Sequence, residues 1–193
     1  MNVLFEKNVL RSDDLTIDFF SRGDSQNTSI AFTFTAFTPS TKGEKDTLVG
    51  VGFGGELLLR NGFDVVAFKS AKNLWYQNLS AEMLADVENF ISNSSISYAK
   101  RVAYGSSMGA YAAILFSRAL KVDIVLALSP QFEIDQPYDQ RWQSLAQQID
   151  FKHRIDSNSI SDSCKYFVAY DPKNADILHI QKLSTLIDRK SVV

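Results

Sequence analysis

The sequence predicts an α/β fold, a mostly parallel sheet with helices on both faces and an antiparallel hairpin at its N-terminal end. Three observations carry this. Short apolar runs at Phe63–Phe68, Val102–Tyr104, Val122–Leu128 and Lys165–Tyr170 alternate with segments of helical character, the pattern of parallel strands joined by crossover helices. The N-terminal residues instead hold two strand-like runs, Val3–Leu10 and Leu15–Phe20, separated by the turn-like Arg11-Ser12-Asp13-Asp14, which reads as a hairpin. Finally, Gly105-Ser106-Ser107-Met108-Gly109 stands between the strand Val102–Tyr104 and a helix-forming segment, Ala110–Leu120, the setting of a tight strand-to-helix turn.

The remaining elements follow in chain order. Arg22–Asn27 is polar and loop-like. Ser29–Phe37 is rich in β-branched and aromatic residues and reads as a strand. Thr38–Asp46, with Pro39 and Gly43, is a loop over the carboxyl edge of the sheet. Gly50–Arg60 reads as a glycine-rich helix stopped by Asn61-Gly62. Lys69–Leu79 is irregular and aromatic. Ser80 is a good N-cap for a helix over Ala81–Ile91, where Leu84, Val87 and Ile91 share one face. Gln131–Arg154 mixes charged and aromatic residues and reads as an excursion over the carboxyl edge, so the chain is taken as one domain, 1–193, with 131–160 as a small lid. Asn174–Ile187 reads as a helix and Lys190–Val193 as the start of one more strand, short or truncated.

Composition narrows the partners. The 193 residues suffice for one domain with a substantial core. A net charge of −2 gives no reason to expect nucleic acid or an anionic membrane surface. No apolar run is long enough to span a bilayer, and Met1–Lys7 has no basic start before an apolar stretch, so no signal peptide is expected. Cys164, the single cysteine, reads as a buried structural thiol and fits a reducing compartment, the cytoplasm. No His, Cys and carboxylate residues stand at metal-ligand spacing, so neither a metal nor a cofactor is expected.

The chemistry centres on Ser107. In a G-x-S-x-G turn the glycines two before and two after leave room for a sharp bend that lifts the serine oxygen above the sheet. The Met108 N–H, at the positive end of the following helix, is aimed where an oxyanion would form. A second donor is expected from the backbone around Ala36–Thr38, taken as Phe37. Serine is a weak nucleophile and needs a base, itself oriented by a carboxylate. Asp171, just after a strand, is the expected acid, with Asp176 as an alternative; an aspartate before Pro172 is also ordinary turn chemistry. Of the two histidines, His179 follows Asp171 in order but lies within an expected helix, while His153, among Asp150, Lys152 and Arg154, reads as a solvated loop residue. The base is therefore His179 in an unusual place, or it lies outside this sequence.

Tyr104-Gly105-Ser106-Ser107-Met108-Gly109-Ala110-Tyr111-Ala112-Ala113 resembles the nucleophile elbow of the α/β-hydrolase superfamily. Lys72-Asn73-Leu74-Trp75-Tyr76-Gln77, Leu128-Ser129-Pro130-Gln131-Phe132, Arg141-Trp142 and Tyr170-Asp171-Pro172 with Asp176 and His179 resemble a bacterial branch of it. Members of that branch look like accessory proteins of surface-polysaccharide or glycosyltransferase systems. The resemblance runs from about Ser29 to His179. It implies a serine esterase or acyltransferase acting on a small or sugar-linked ester, with Ser107 as nucleophile and Asp171 as acid. It also implies that a complete homologue continues past Val193 into a loop carrying the histidine.

Two rival functions are open. Gly50-Val51-Gly52-Phe53-Gly54-Gly55 is a literal G-x-G-x-x-G before the strand Phe63–Phe68, as an NADP site would be, with Lys69 where a 2′-phosphate would sit. Against it stand a very short run before Gly50 and the simpler account of a glycine-rich element packed closely on the sheet. The other rival is a hydrolase-like binding or accessory module without a complete site. Trp75, Tyr76, Arg141 and Trp142 are expected to cover the core beneath the loops, with a wall of an acyl or sugar pocket as the alternative.

Overall fold

A computed structural model describes residues 5–23, 28–38 and 47–187. The strands are β1 (Phe5–Arg11), β2 (Leu15–Ser21), β3 (Ser29–Phe34), β4 (Asp64–Ser70), β5 (Lys100–Ser106), β6 (Ile124–Leu128) and β7 (Lys165–Ala169); the helices are α1 (Gly55–Arg60), α2 (Ala81–Ser92), α3 (Met108–Leu115), α4 (Gln143–Ala146) and α5 (Asp176–Leu183). They build one seven-stranded sheet in the order β1-β2-β4-β3-β5-β6-β7. The β1–β2 hairpin joins antiparallel, β2 pairs antiparallel with β4, and every later pairing is parallel. The expected strand Lys190–Val193, like Val3–Leu4, lies outside the described residues.

The sheet is packed on both faces at β2 and β4, where successive side chains point to opposite sides. Along β4, Val65 and Ala67 face a small core with Phe20 and Leu59 beneath α1, while Val66 and Phe68 face the main core beneath α2 and α3. All eight residues of α3 are buried, so it is the central helix, apolar on every side. It packs on β3, β5 and β6. The α2 helix begins as expected: the Ser80 hydroxyl accepts the Met83 N–H at 3.2 Å, and Leu84, Val87 and Ile91 turn inward.

The Gly50 turn, the end of β3 and the burial of β6 and β7 differ from the sequence reading. Gly50–Gly54 forms a turn, not the first part of α1; Gly50, Gly52 and Gly54 all have positive φ, which a helix forbids. The strand β3 stops at Phe34, and residues 35–38 leave the sheet as a loop. The β6 and β7 strands alternate in burial, although Val122–Leu128 is a continuous apolar run. Leu126 and Phe167, which are register partners, remain 37% and 42% exposed.

The hairpin is fastened by a buried charge. Lys69 Nζ lies 2.6 Å from Asp18 Oδ2, at 1% and 2% side-chain exposure. The same ammonium donates to the Gly50 carbonyl at 2.8 Å, and Asn8 Nδ2 donates to Asp18 Oδ1 at 2.7 Å. One lysine thus ties β2, β4 and the Gly50 turn together.

Candidate active site

The β5 strand ends at Ser106, and the next residue turns the chain sharply into α3. Ser107 has φ 53° and ψ −120° and is the N-cap of that helix. A non-glycine residue there is strained by an amount on the order of 1–3 kcal/mol. The flanking glycines show why the sequence tolerates it. A Cβ on Gly105 would run into the Gly109 carbonyl and stand 2.7 Å from the Ala110 nitrogen; a Cβ on Gly109 would run into the Phe34 carbonyl. The Ser107 N–H is held by the Leu128 carbonyl of β6 at 2.8 Å. Met108 is the first residue of α3, so its N–H has no partner within the helix.

The Ser107 hydroxyl donates to Gln131 Oε1 at 2.9 Å, and Gln131 is itself buried. Its Nε2 donates to the Ser129 carbonyl at 3.0 Å. Ser129 is left-handed, with φ 47°, and this bend carries the chain from β6 back over the turn.

Next to Gln131, the chain wraps around His179. The imidazole is fully buried. Its Nδ1 lies 3.0 Å from the Phe132 N–H donor and 3.4 Å from that of Glu133, so Nδ1 is unprotonated and accepts. The proton is then on Nε2, which donates to Asp139 Oδ2 at 2.8 Å. Asp139 also receives the Arg141 backbone N–H and its guanidinium, which reaches on to Asp176 at 2.9 Å. Burial works to raise the Asp139 pKa, but the hydrogen bonds from Arg141 and His179 outweigh it and hold the carboxyl at about 2. Burial lowers the His179 pKa below its ordinary 6.5, with Asp139 opposing.

The structure does not bring Asp171 and His179 together. Asp171 is exposed, and its carboxylate accepts the Lys173 N–H at 2.9 Å in a local turn. His179 faces the interior, with Asp139 as its acid. Both ring nitrogens are engaged, so it serves here as an anchor for residues 132–139. Asp176, the alternative acid, is buried and paired with Arg141. His153 is half-buried; its ring meets the edge of Phe116, and its backbone is gripped by both ends of the Gln77 amide.

A pH dependence follows from His179. Its folded-state pKa lies below the unfolded value, so below about pH 6.5 the unfolded chain binds a proton that the folded one refuses. Stability is therefore full above pH 6.5 and falls as the pH drops from there to the depressed folded value. The Asp139 contribution is lost further down, between pH 3.8 and about 2. Urea midpoints measured from pH 8 to 5 should decline for the parent, and His179→Gln should flatten that decline.

Loop residues 35–38 border the turn. The Phe37 ring lies tilted against Trp142, with centroids 5.1 Å apart, and against Trp75 at 6.1 Å, and the two indoles meet edge to face at 5.2 Å. Trp75 is fully buried and Trp142 partly so. An open groove of about 500 Å³ lies between this loop and the Gly50 turn, lined by Phe37, Val49, Val51, Phe53 and Glu56 among others. The glycines of that turn are explained by packing: a Cβ on Gly52 would stand 2.7 Å from the Ala67 Cβ, and one on Gly54 would enter the Tyr104 ring. Lys69 is consumed by Asp18, and α1 is only six residues long, so this G-x-G-x-x-G offers neither a free cation nor an extended helix start to a phosphate. Among the described residues no group of His, Cys and carboxylates is placed to hold a metal ion, and no helix is long and apolar enough to cross a membrane.

The chain has the α/β-hydrolase fold. It is similar to the capsule O-acetyltransferase of Neisseria meningitidis serogroup A, with a TM-score of 0.64 and 13% identity over 95% of this chain and 82% of that one. It is also similar to an esterase of Pyrococcus furiosus, with a TM-score of 0.62 and 16% identity over 98% of this chain and 79% of that one. A propionate-bound thermophilic esterase of Thermogutta terrifontis gives a TM-score of 0.56 and 12% identity over 98% and 81%. No protein-family model matches the chain, and no curated protein is similar to it in sequence.

Proposed function

We propose that the chain is a serine esterase or acyltransferase whose nucleophile is Ser107, working in the cytoplasm on a small or sugar-linked ester. The observation that carries this is the backbone of Ser107: a strained φ of 53° at the carboxyl end of a central strand, enclosed by two glycines that admit no Cβ. Strain of this kind persists where the surroundings enforce it, and it clusters where a side chain must be presented. In the reaction Oγ attacks the ester carbonyl, a base other than Asp171 or His179 carries its proton to the departing alcohol, and the N–H groups of Met108 and Phe37 receive the developing oxyanion. Water or a sugar hydroxyl then attacks the acyl carbon, the bond to Oγ breaks, and the proton of the attacking group returns to Oγ. Residues 131–160 act as the lid, and Phe37 with Trp142 borders the acyl group. The capsule O-acetyltransferase and esterase neighbours favour a short acyl group such as acetyl.

Asp171 and His179 are not the acid and base of this proposal, because His179 is bonded at both ring nitrogens, to Asp139 and to the Phe132 N–H, and the Asp171 carboxylate accepts the Lys173 N–H in a local turn. A second reading, a binding module on a hydrolase-like fold, is favoured by one observation: the Ser107 hydroxyl donates to the Gln131 amide, an oxygen too weakly basic to take its proton. The two readings separate on incubation with p-nitrophenyl acetate. The enzyme releases p-nitrophenol and gains an acetyl group on the peptide containing Ser107, and Ser107→Ala abolishes both. A binding module does neither.

A further inference from the structure

The segment Asn73–Gln77 has no regular structure, yet it is heavily constrained. Trp75 and Tyr76 are consecutive left-handed residues, with φ 48° and 55°, and neither is glycine. Both are fully buried. Two strained residues in succession call for a reason, and their neighbours supply one. Asn73 grips the backbone of Thr38 at both ends: its Oδ1 accepts the Thr38 N–H at 2.9 Å, and its Nδ2 donates to the Thr38 carbonyl at 2.7 Å. The Tyr76 hydroxyl lies 3.1 Å from both the Thr35 and the Phe68 carbonyls. Thr35 is fixed further by its N–H on Phe68 at 3.1 Å. The Trp75 ring packs at a tilt against Phe37.

The loop Thr35–Thr38 is therefore clamped at its first and last residues and pressed from the side at Phe37. Its start lies against the first turn of α3: a Cβ on Gly109, two residues after Ser107, would stand 3.1 Å from the Thr35 carbonyl oxygen. A short loop fixed at both ends, beside a serine turn, has the orientation of its middle amide set by the clamps.

We propose that Asn73 is the positioning residue that fixes the Thr35–Thr38 loop so that its Phe37 N–H meets the oxyanion formed at Ser107, and that the left-handed Trp75–Tyr76 pair is the backbone bend that brings Asn73 to Thr38. This rests on Ser107 as the nucleophile. A misplaced oxyanion donor weakens the transition state far more than the bound substrate, so the effect belongs in kcat.

The test compares the parent, Asn73→Ala and Asn73→Asp in steady-state hydrolysis of p-nitrophenyl acetate, with hydrogen exchange of the peptide covering residues 35–38. Asn73→Ala is expected to lower kcat roughly 10- to 100-fold with KM unchanged, and to speed exchange in that peptide. Asn73→Asp, which keeps the acceptor for the Thr38 N–H, is expected to recover part of kcat. An active parent whose Asn73→Ala variant keeps its kcat, or changes only KM, overturns the assignment. Unchanged exchange overturns the clamp itself. An inactive parent with unmodified Ser107 brings down the nucleophile proposal and this one together, and is told apart because it is read before any Asn73 variant is compared.

Discussion

Gly105→Ala is expected to cost about 3 kcal/mol of stability or more and to silence Ser107. The added methyl meets no flexible side-chain end that could swing away. It meets the Gly109 carbonyl and, at 2.7 Å, the Ala110 nitrogen, both backbone atoms of the first turn of α3. Relief requires α3 to move off the sheet, and α3 is buried along its whole length against β3, β5 and β6. Overpacking a core ordinarily costs about 1–3 kcal/mol; a clash with backbone under the central helix belongs at or above the upper end. Urea unfolding gives the stability change. Acetylation of the Ser107 peptide by p-nitrophenyl acetate gives the chemical one, and it should be lost even where the variant remains folded, because φ 53° at Ser107 depends on the same close approach. A variant with parent stability and acetylation would mean that the strained turn is neither enforced by Gly105 nor needed.

Lys69→Met is the second large effect. It removes the ammonium and leaves Asp18 as a nearly solvent-free carboxylate, with Asn8 as its remaining partner. Breaking one side of a buried ion pair typically costs about 3–5 kcal/mol. The Gly50 carbonyl loses its donor as well. The double variant Lys69→Met/Asp18→Leu should recover much of the loss, because the intact pair contributes little net stability relative to apolar side chains of similar size. Chemical denaturation of the parent, the single and the double variant reads this directly. If the single variant unfolds at the parent's midpoint, the buried pair does not fasten the hairpin.

Much of the fold is legible in the sequence because its central parts obey simple patterns. Val102–Tyr104 and Val122–Leu128 are apolar runs bounded by turn residues, and Gly105–Gly109 fits one kind of turn. The glycine run at Gly50–Gly55 misled, since helix and turn are both compatible with small residues and only the positive φ values distinguish them. The open face at Leu126 and Phe167 was hidden for a similar reason: a continuous apolar run carries no sign of which face is covered. The strained turn at Ser107 was readable because the residues two before and two after it, Gly105 and Gly109, admit no Cβ. Asp139 was not, because it lies in an irregular segment 40 residues before its partner His179, where no periodicity links them. Asn73 and Gln131 act through amide contacts with backbone and hydroxyl groups, for which a lone sequence gives no spacing rule.

The most direct measurement of the central proposal is labelling by a fluorophosphonate probe, with the modified residue located by peptide mass spectrometry. The probe reacts with a serine whose oxygen is activated and whose oxyanion site is formed. The parent should be labelled at Ser107, with Ser107→Ala unlabelled. A folded parent that remains unlabelled, or one labelled at another residue, would contradict Ser107 as the nucleophile and leave the hydrolase-like binding module in its place.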